Sequence, residues 1–225
     1  MSTGIKIHLN EYLFIRDPED TSLGRDIIQT SVRLIDTLGF EQFTFKKLAV
    51  EMGSTEASIY RYFTNKHKLL IYLISWYWVW QEYQIEINIK NITDVNEQLH
   101  KVLSIIANPT TDNFKNTQID VEALYRIVIS EASKSYLTKE VDELNKKGMY
   151  ADYKRVCKKI ADLILLLNPD YIYASALVSM LIETANQQAF FALHLPSLTN
   201  IKKNKNQKVD VSDFLAQILF SAIKK

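Results

Sequence analysis

The chain has 225 residues, enough for one large domain or a small one joined to a larger one, and 47% of them are hydrophobic, the mix of a folded globular protein. Its 27 Lys and Arg balance 26 Asp and Glu, so any affinity for nucleic acid has to come from a local patch and not from net charge. The five glycines never fall close together, which excludes the glycine-rich phosphate loops of Rossmann and P-loop proteins, and four prolines are too few for a many-stranded barrel or sandwich. Long helices are the architecture that remains.

In chain order, residues 1–20 form an arm in which Ile5, Ile7 and Leu9 alternate like a short strand until Asp17-Pro18 ends the segment. The first helix is expected from Thr21 to Leu38, where Leu23, Ile27, Ile28, Ser31, Leu34, Ile35 and Leu38 share one face and Gly39 follows as a left-handed cap. Thr44 is placed to cap a short second helix carrying Leu48, Ala49 and Met52, and Gly53 stops it. Thr55 is placed to cap a third helix ending near Phe63, with Glu56 suited to its N-terminus. Asn65 opens a fourth helix reaching about Asn88, through the aromatic run Trp76-Tyr77-Trp78-Val79-Trp80. Helical patterns continue over about 94–107, 118–136, 141–167, 170–195 and 211–224, broken at Pro109, Asn168-Pro169 and Pro196. The lysines at 202, 203, 205 and 208 read as a solvated loop before the last helix.

Two short helices around a glycine turn, as in residues 44–63, are the spacing of a helix-turn-helix, although any helical hairpin can show it. Tyr60, Arg61 and Tyr62 cannot all face one core at 100° per residue, so one or two of them must be exposed. From Ala57 to Leu70 the ionisable residues Arg61, Lys66, His67 and Lys68 include no acid, which forms the local basic patch that phosphate contact requires.

Residues 21–72 carry Gly39-Phe40, Phe43-Thr44, Leu48-Ala49, Gly53, Thr55, Ile59-Tyr60-Arg61-Tyr62-Phe63 and Asn65-Lys66 before Leu69-Leu70. This stretch resembles the DNA-binding region of the TetR family of bacterial transcriptional regulators. The resemblance implies an all-helical protein with an arm (1–20), a three-helix DNA-binding domain (21–68) and, joined by the long fourth helix, a larger helical domain (69–225) for effector binding and dimerisation. It assigns base-edge contact to Glu56, Ala57 and Ser58, and phosphate contact to Tyr60 and Tyr62. Thr44, Lys46, Thr55, Arg61 and Lys66 are further DNA-binding candidates, with Lys66 set to hold a phosphate at the helix start. Two features depart from the family pattern: Ser54 replaces an apolar turn residue, and Glu56 stands where a basic or neutral one is common. Glu56 either accepts from a cytosine N4 group or only complements the helix dipole.

In the second domain no histidine pair has metal-ligand spacing and no nucleophile elbow occurs, so no cofactor, metal or enzymatic activity is expected. Trp76, Trp80, Tyr83, Glu122 and Tyr125 are the candidate lining of an effector pocket, though any single aromatic of the 76–83 run reads first as ordinary core, and Glu82 and Glu183 are further candidate polar partners. Leu177 and Leu181, with Phe214 and Ile218, lie on single apolar faces and are the candidate dimer interface; the alternative is that these faces pack on each other. Cys157, the lone cysteine, lies among Lys154, Arg155, Lys158 and Lys159, whose charge would lower a thiol pKa. With no apolar stretch long enough to span a membrane and no signal segment, a cytoplasmic location is expected. The expected function is a ligand-responsive regulator, a repressor acting as a homodimer on a palindromic DNA site. The alternative is a helical small-molecule-binding protein that has lost specific DNA binding.

Overall fold

The computed structural model describes residues 7–108, 119–204 and 209–224, and apart from one antiparallel bridge between Lys203 and Val209 these residues are helices, turns and loops. Among these described residues ten α-helices follow in order: α1 (Ser22–Leu38), α2 (Phe45–Glu51), α3 (Glu56–Tyr60), α4 (Lys66–Ile89), α5 (Val95–Ala107), α6 (Val121–Tyr136), α7 (Val141–Lys146), α8 (Ala151–Leu167), α9 (Ala174–His194) and α10 (Ser212–Ala222). They gather into two compact units. The first holds the described residues of Met1–Val79 and Thr111–Asp152, and the second those of Trp80–Thr110 and Tyr153–Lys225.

In the first unit the helix ends follow local chemistry. Thr21, Thr44 and Thr55 are N-caps whose hydroxyls accept from the backbone N–H groups of Gly24, Lys47 and Ser58. Gly39 at φ 76° and Gly53 at φ 59° end α1 and α2 in a left-handed conformation that a side chain would resist. The apolar faces of α1 (Ile27, Ile28, Val32, Ile35), α2 (Phe45, Leu48) and α3 (Ile59) close on one core with Phe43 and Phe63. Each such fully buried aliphatic side chain contributes about 1.5–3 kcal/mol. Every residue of α4 from Leu69 to Trp78 is buried, so this stretch is covered on all sides.

The first unit is larger than residues 21–68 because α6 packs on α1. Arg126 grips Asp36 through two hydrogen bonds of 2.9 and 2.8 Å. The buried Glu131 accepts from the Phe40 N–H at 3.2 Å, and Lys134 bridges Glu131 and Glu41. Bonding to Lys134 holds the Glu41 carboxyl below its ordinary range.

Three expectations change. Among the described residues of the arm there is no strand but two 3-10 turns, Glu11–Leu13 and Pro18–Asp20, while Ile5 lies outside the described residues. The helix expected over 141–167 is two helices, because Gly148 turns at φ 74° between α7 and α8. The Asn168-Pro169 corner delays α9 to Ala174. The break expected at Pro109, and Lys205 and Lys208 of the expected loop, lie outside the described residues.

In the second unit α5, α9 and α10 pack on one another. Glu82 and Glu86 of α4 pair with Arg155 and Lys159 of α8, and the buried Asn168 amide donates to the Ile223 carbonyl at 3.1 Å. These contacts join the ends of the unit's helices.

Candidate nucleic-acid interface

The corner between α2 and α3 is built from inside outwards. Phe43, Leu48, Ile59 and Phe63 are fully buried, which fixes the roll of both short helices and sends the intervening positions to solvent. Thr44, Lys46, Thr55, Glu56, Ala57, Tyr60 and Arg61 are all exposed, and Ser58 is half-buried with its hydroxyl 3.0 Å from that of Thr55. The Tyr60 ring stands edge-on to Phe45 at 5.1 Å, so its phenol is held outward on a fixed base. The exposed Val50 of α2 adds an apolar element to this corner that sequence reading missed. Its surface exposure gave no sequence signal, since a valine on a short helix reads as core.

Two of the expected DNA-binding side chains are turned inward. Tyr62 is only 2% exposed, and its hydroxyl lies 2.7 Å from that of Thr21. The Lys66 ammonium donates to the carbonyls of Phe40, Glu41 and Phe43 at 2.9, 3.2 and 3.1 Å and sits 4.7 Å above the Phe40 ring. It therefore clamps the α1–α2 connection, whose carbonyls point at the start of α4, and is not directed at an outside phosphate. Lys68 likewise donates to the Tyr12 carbonyl at 3.2 Å, and burial pushes its pKa down. Burial also lowers the pKa of His67. The basic patch expected between Ala57 and Leu70 thus reduces at the surface to Arg61, with Lys46 contributed from α2.

The candidate effector residues are divided. Trp76, Glu122 and Tyr125 belong to the first unit, where Trp76 is buried, Tyr125 stacks on Tyr77 at 6.3 Å and Glu122 is exposed in the first turn of α6. Trp80, buried, and Tyr83 belong to the second, as do Glu82, engaged with Arg155, and the exposed Glu183. A cleft of about 230 Å³ in the first unit, whose wall includes Tyr12, Phe14, Lys68 and Met149, is lined by none of them.

The candidate dimer residues also separate. Leu177 and Leu181 are buried against their own chain, whereas Phe214 and Ile218 of α10 retain exposure. Cys157 is half-buried, and burial, against a hydrogen bond with Tyr153 that favours the thiolate, pushes its thiol up to about 11, opposite to the lowering expected from the neighbouring cations. No group of three or more His, Cys, Asp or Glu among the described residues is arranged to hold a metal, and no helix among them is long and apolar enough to cross a membrane.

Residues 27–73 match the model of bacterial regulatory proteins of the tetR family. A comparison with curated protein sequences gives no match. Among solved structures, the fatty acid degradation regulator FadR from Bacillus halodurans is similar over 90% of this chain and 95% of its own, at 18% identity and a TM-score of 0.60. AibR in complex with isovaleryl coenzyme A and operator DNA is similar over 88% and 95%, at 15% identity and a TM-score of 0.55. The superantigen PfiT is similar over 92% and 97%, at 14% identity and a TM-score of 0.55. The fold is thus shared by proteins of different description, and function has to be argued from the exposed face.

Proposed function

We propose that this all-helical chain, which carries a tetR-family helix-turn-helix domain in residues 27–73, is a transcriptional repressor that binds a palindromic duplex as a homodimer and answers to a small-molecule effector. The observation that carries the reading is the outward side of α2 and α3. Thr44, Lys46, Glu56, Ala57, Tyr60 and Arg61 are exposed together over a rigid apolar base. Lys46, Arg61 and the Tyr60 phenol suit phosphate oxygens, while Glu56 and Ala57, in the first turn of α3, suit base edges. The effector reading draws support from AibR, whose structure was solved with an acyl coenzyme A and operator DNA. Such a domain needs a mate about 34–36 Å away to reach successive major grooves, which favours a two-fold pair.

A second reading, a helical protein without specific DNA binding, is favoured by the inward turn of Lys66 and Lys68, which leaves few cations on the face. Selection from a randomised duplex library, followed by titration at several salt concentrations, separates the two. The repressor reading predicts enrichment of a palindrome and a steep fall of affinity with salt. Failure to enrich any sequence would favour the second reading.

The same library tests Glu56. Thr55 makes the α3 cap by itself, so the Glu56 carboxylate is left to face outward. Glu56→Gln is expected to redirect preference at one position in each half-site, by about 1–3 kcal/mol. Uniform strengthening on every sequence would instead make Glu56 a helix-end charge.

A further inference from the structure

The described part of the N-terminal arm is a strap docked on the first unit. Leu13 is buried, the Phe14 ring meets Tyr72 at 6.1 Å, and the Asn10 amide donates to the Lys147 carbonyl at 2.8 Å. Pro18 lies so close to α1 that a Cβ on Gly24 would stand 2.3 Å from the Pro18 carbonyl oxygen, an approach only glycine permits. Between these anchors the Ile15 N–H donates to the Tyr62 carbonyl at 2.8 Å. That bond fixes Arg16 beside the end of α3: its guanidinium carbon is 5.8 Å from the centre of the Tyr62 ring, and the residue is exposed. Tyr62 is itself buried, with its hydroxyl 2.7 Å from that of Thr21. The carboxylate of the next residue, Asp17, is turned onto the Glu19 N–H at 2.9 Å.

From this geometry we infer that Arg16 is a DNA-backbone contact supplied by the strap, a cation added to the α2–α3 face from outside the helix-turn-helix. The inference rests on the DNA-binding reading above. The inward turn of Lys66 and Lys68 leaves the start of α4 without an outward ammonium, so Arg16 would add to the two outward cations of the face, Lys46 and Arg61. Arginine suits the role, since its planar fork can lie against an aromatic ring and still present N–H donors to a phosphate. A backbone contact carries no sequence information, so its loss weakens all duplexes alike.

The experiment compares wild type, Arg16→Gln and Arg16→Lys by fluorescence anisotropy. Each is titrated over a range of salt with a labelled mixed-sequence duplex and with the duplex that the wild type selects. Arg16→Gln is expected to lower affinity for both duplexes by a similar factor and to reduce the magnitude of the log–log salt slope by about one, with Arg16→Lys restoring the slope. Thermal denaturation of the free proteins separates a purely structural role. If Arg16→Gln melts earlier while the slope is unchanged, Arg16 only packs on Tyr62 and the inference is overturned. An unchanged slope with unchanged melting overturns it equally. If the wild type itself shows no salt-dependent duplex binding, the DNA-binding reading fails, and the inference with it.

Discussion

Lys66→Met is expected to destabilise the first unit by about 2–3 kcal/mol and to weaken binding to every duplex, while leaving the salt dependence of binding unchanged. The ammonium makes three hydrogen bonds to backbone carbonyls and stands over the Phe40 ring. Hydrogen bonds to a charged group contribute about 1.5–3 kcal/mol, and the three carbonyls do not all find replacement partners when the donor is lost. The connection they belong to leads directly to Thr44, the cap of α2. Loosening it misplaces Thr44 and Lys46, so affinity falls without the loss of a phosphate contact. Lys46→Ala is the contrasting case: Lys46 is exposed, so stability should hold while the salt slope falls by about one. Thermal melts paired with salt titrations read both variants. A Lys66→Met protein with normal melting and a shallower slope would return Lys66 to the role expected from sequence, that of a phosphate ligand.

Lys66 also shows where sequence reading stopped. Helix ends were legible because their signals are local. A threonine before an apolar run and a glycine after one act within four residues, and Thr44, Thr55, Gly39 and Gly53 behave as such residues should. The direction of a long flexible side chain is decided by whatever lies across the fold, here carbonyls more than twenty positions away in the chain. Tyr62 was ambiguous for the same reason: helical periodicity requires some of Tyr60, Arg61 and Tyr62 to be exposed but does not say which. Gly148 was missed because apolar residues on both sides continue a helical spacing, so the break rests on one backbone angle. The effector lining stayed out of reach, since an aromatic helix such as α4 reads alike whether neighbouring helices or a ligand cover it.

Periodicity carries the same ambiguity at the C-terminal helices, and there it changes the decisive experiment. An apolar face at spacings of three and four states that something covers it, not whether the cover is the same chain or a second copy. Leu181 is 1% exposed within its own chain, so Leu181→Glu would bury an unpaired charge and is expected to cost about 4 kcal/mol or more, unfolding the second unit instead of dissociating a dimer. The sides of α9 and α10 that remain outward are marked by Met180, 44% exposed, and Phe214, 39% exposed, with Ile218 one turn beyond Phe214. Large apolar side chains left in water on two helices of one unit suit a seam covered by a second copy. Met180→Glu with Phe214→Glu should therefore change the stability of the folded chain little, because substitutions at exposed positions usually stay within about 0.5 kcal/mol. The double variant is expected to sediment as a monomer of normal helicity and to lose operator affinity by about 100-fold, since the second half-site no longer binds as part of one molecule. If it sediments as a dimer with helicity intact, the two-fold contact lies elsewhere on the chain, and the outward faces of α9 and α10 have another occupant.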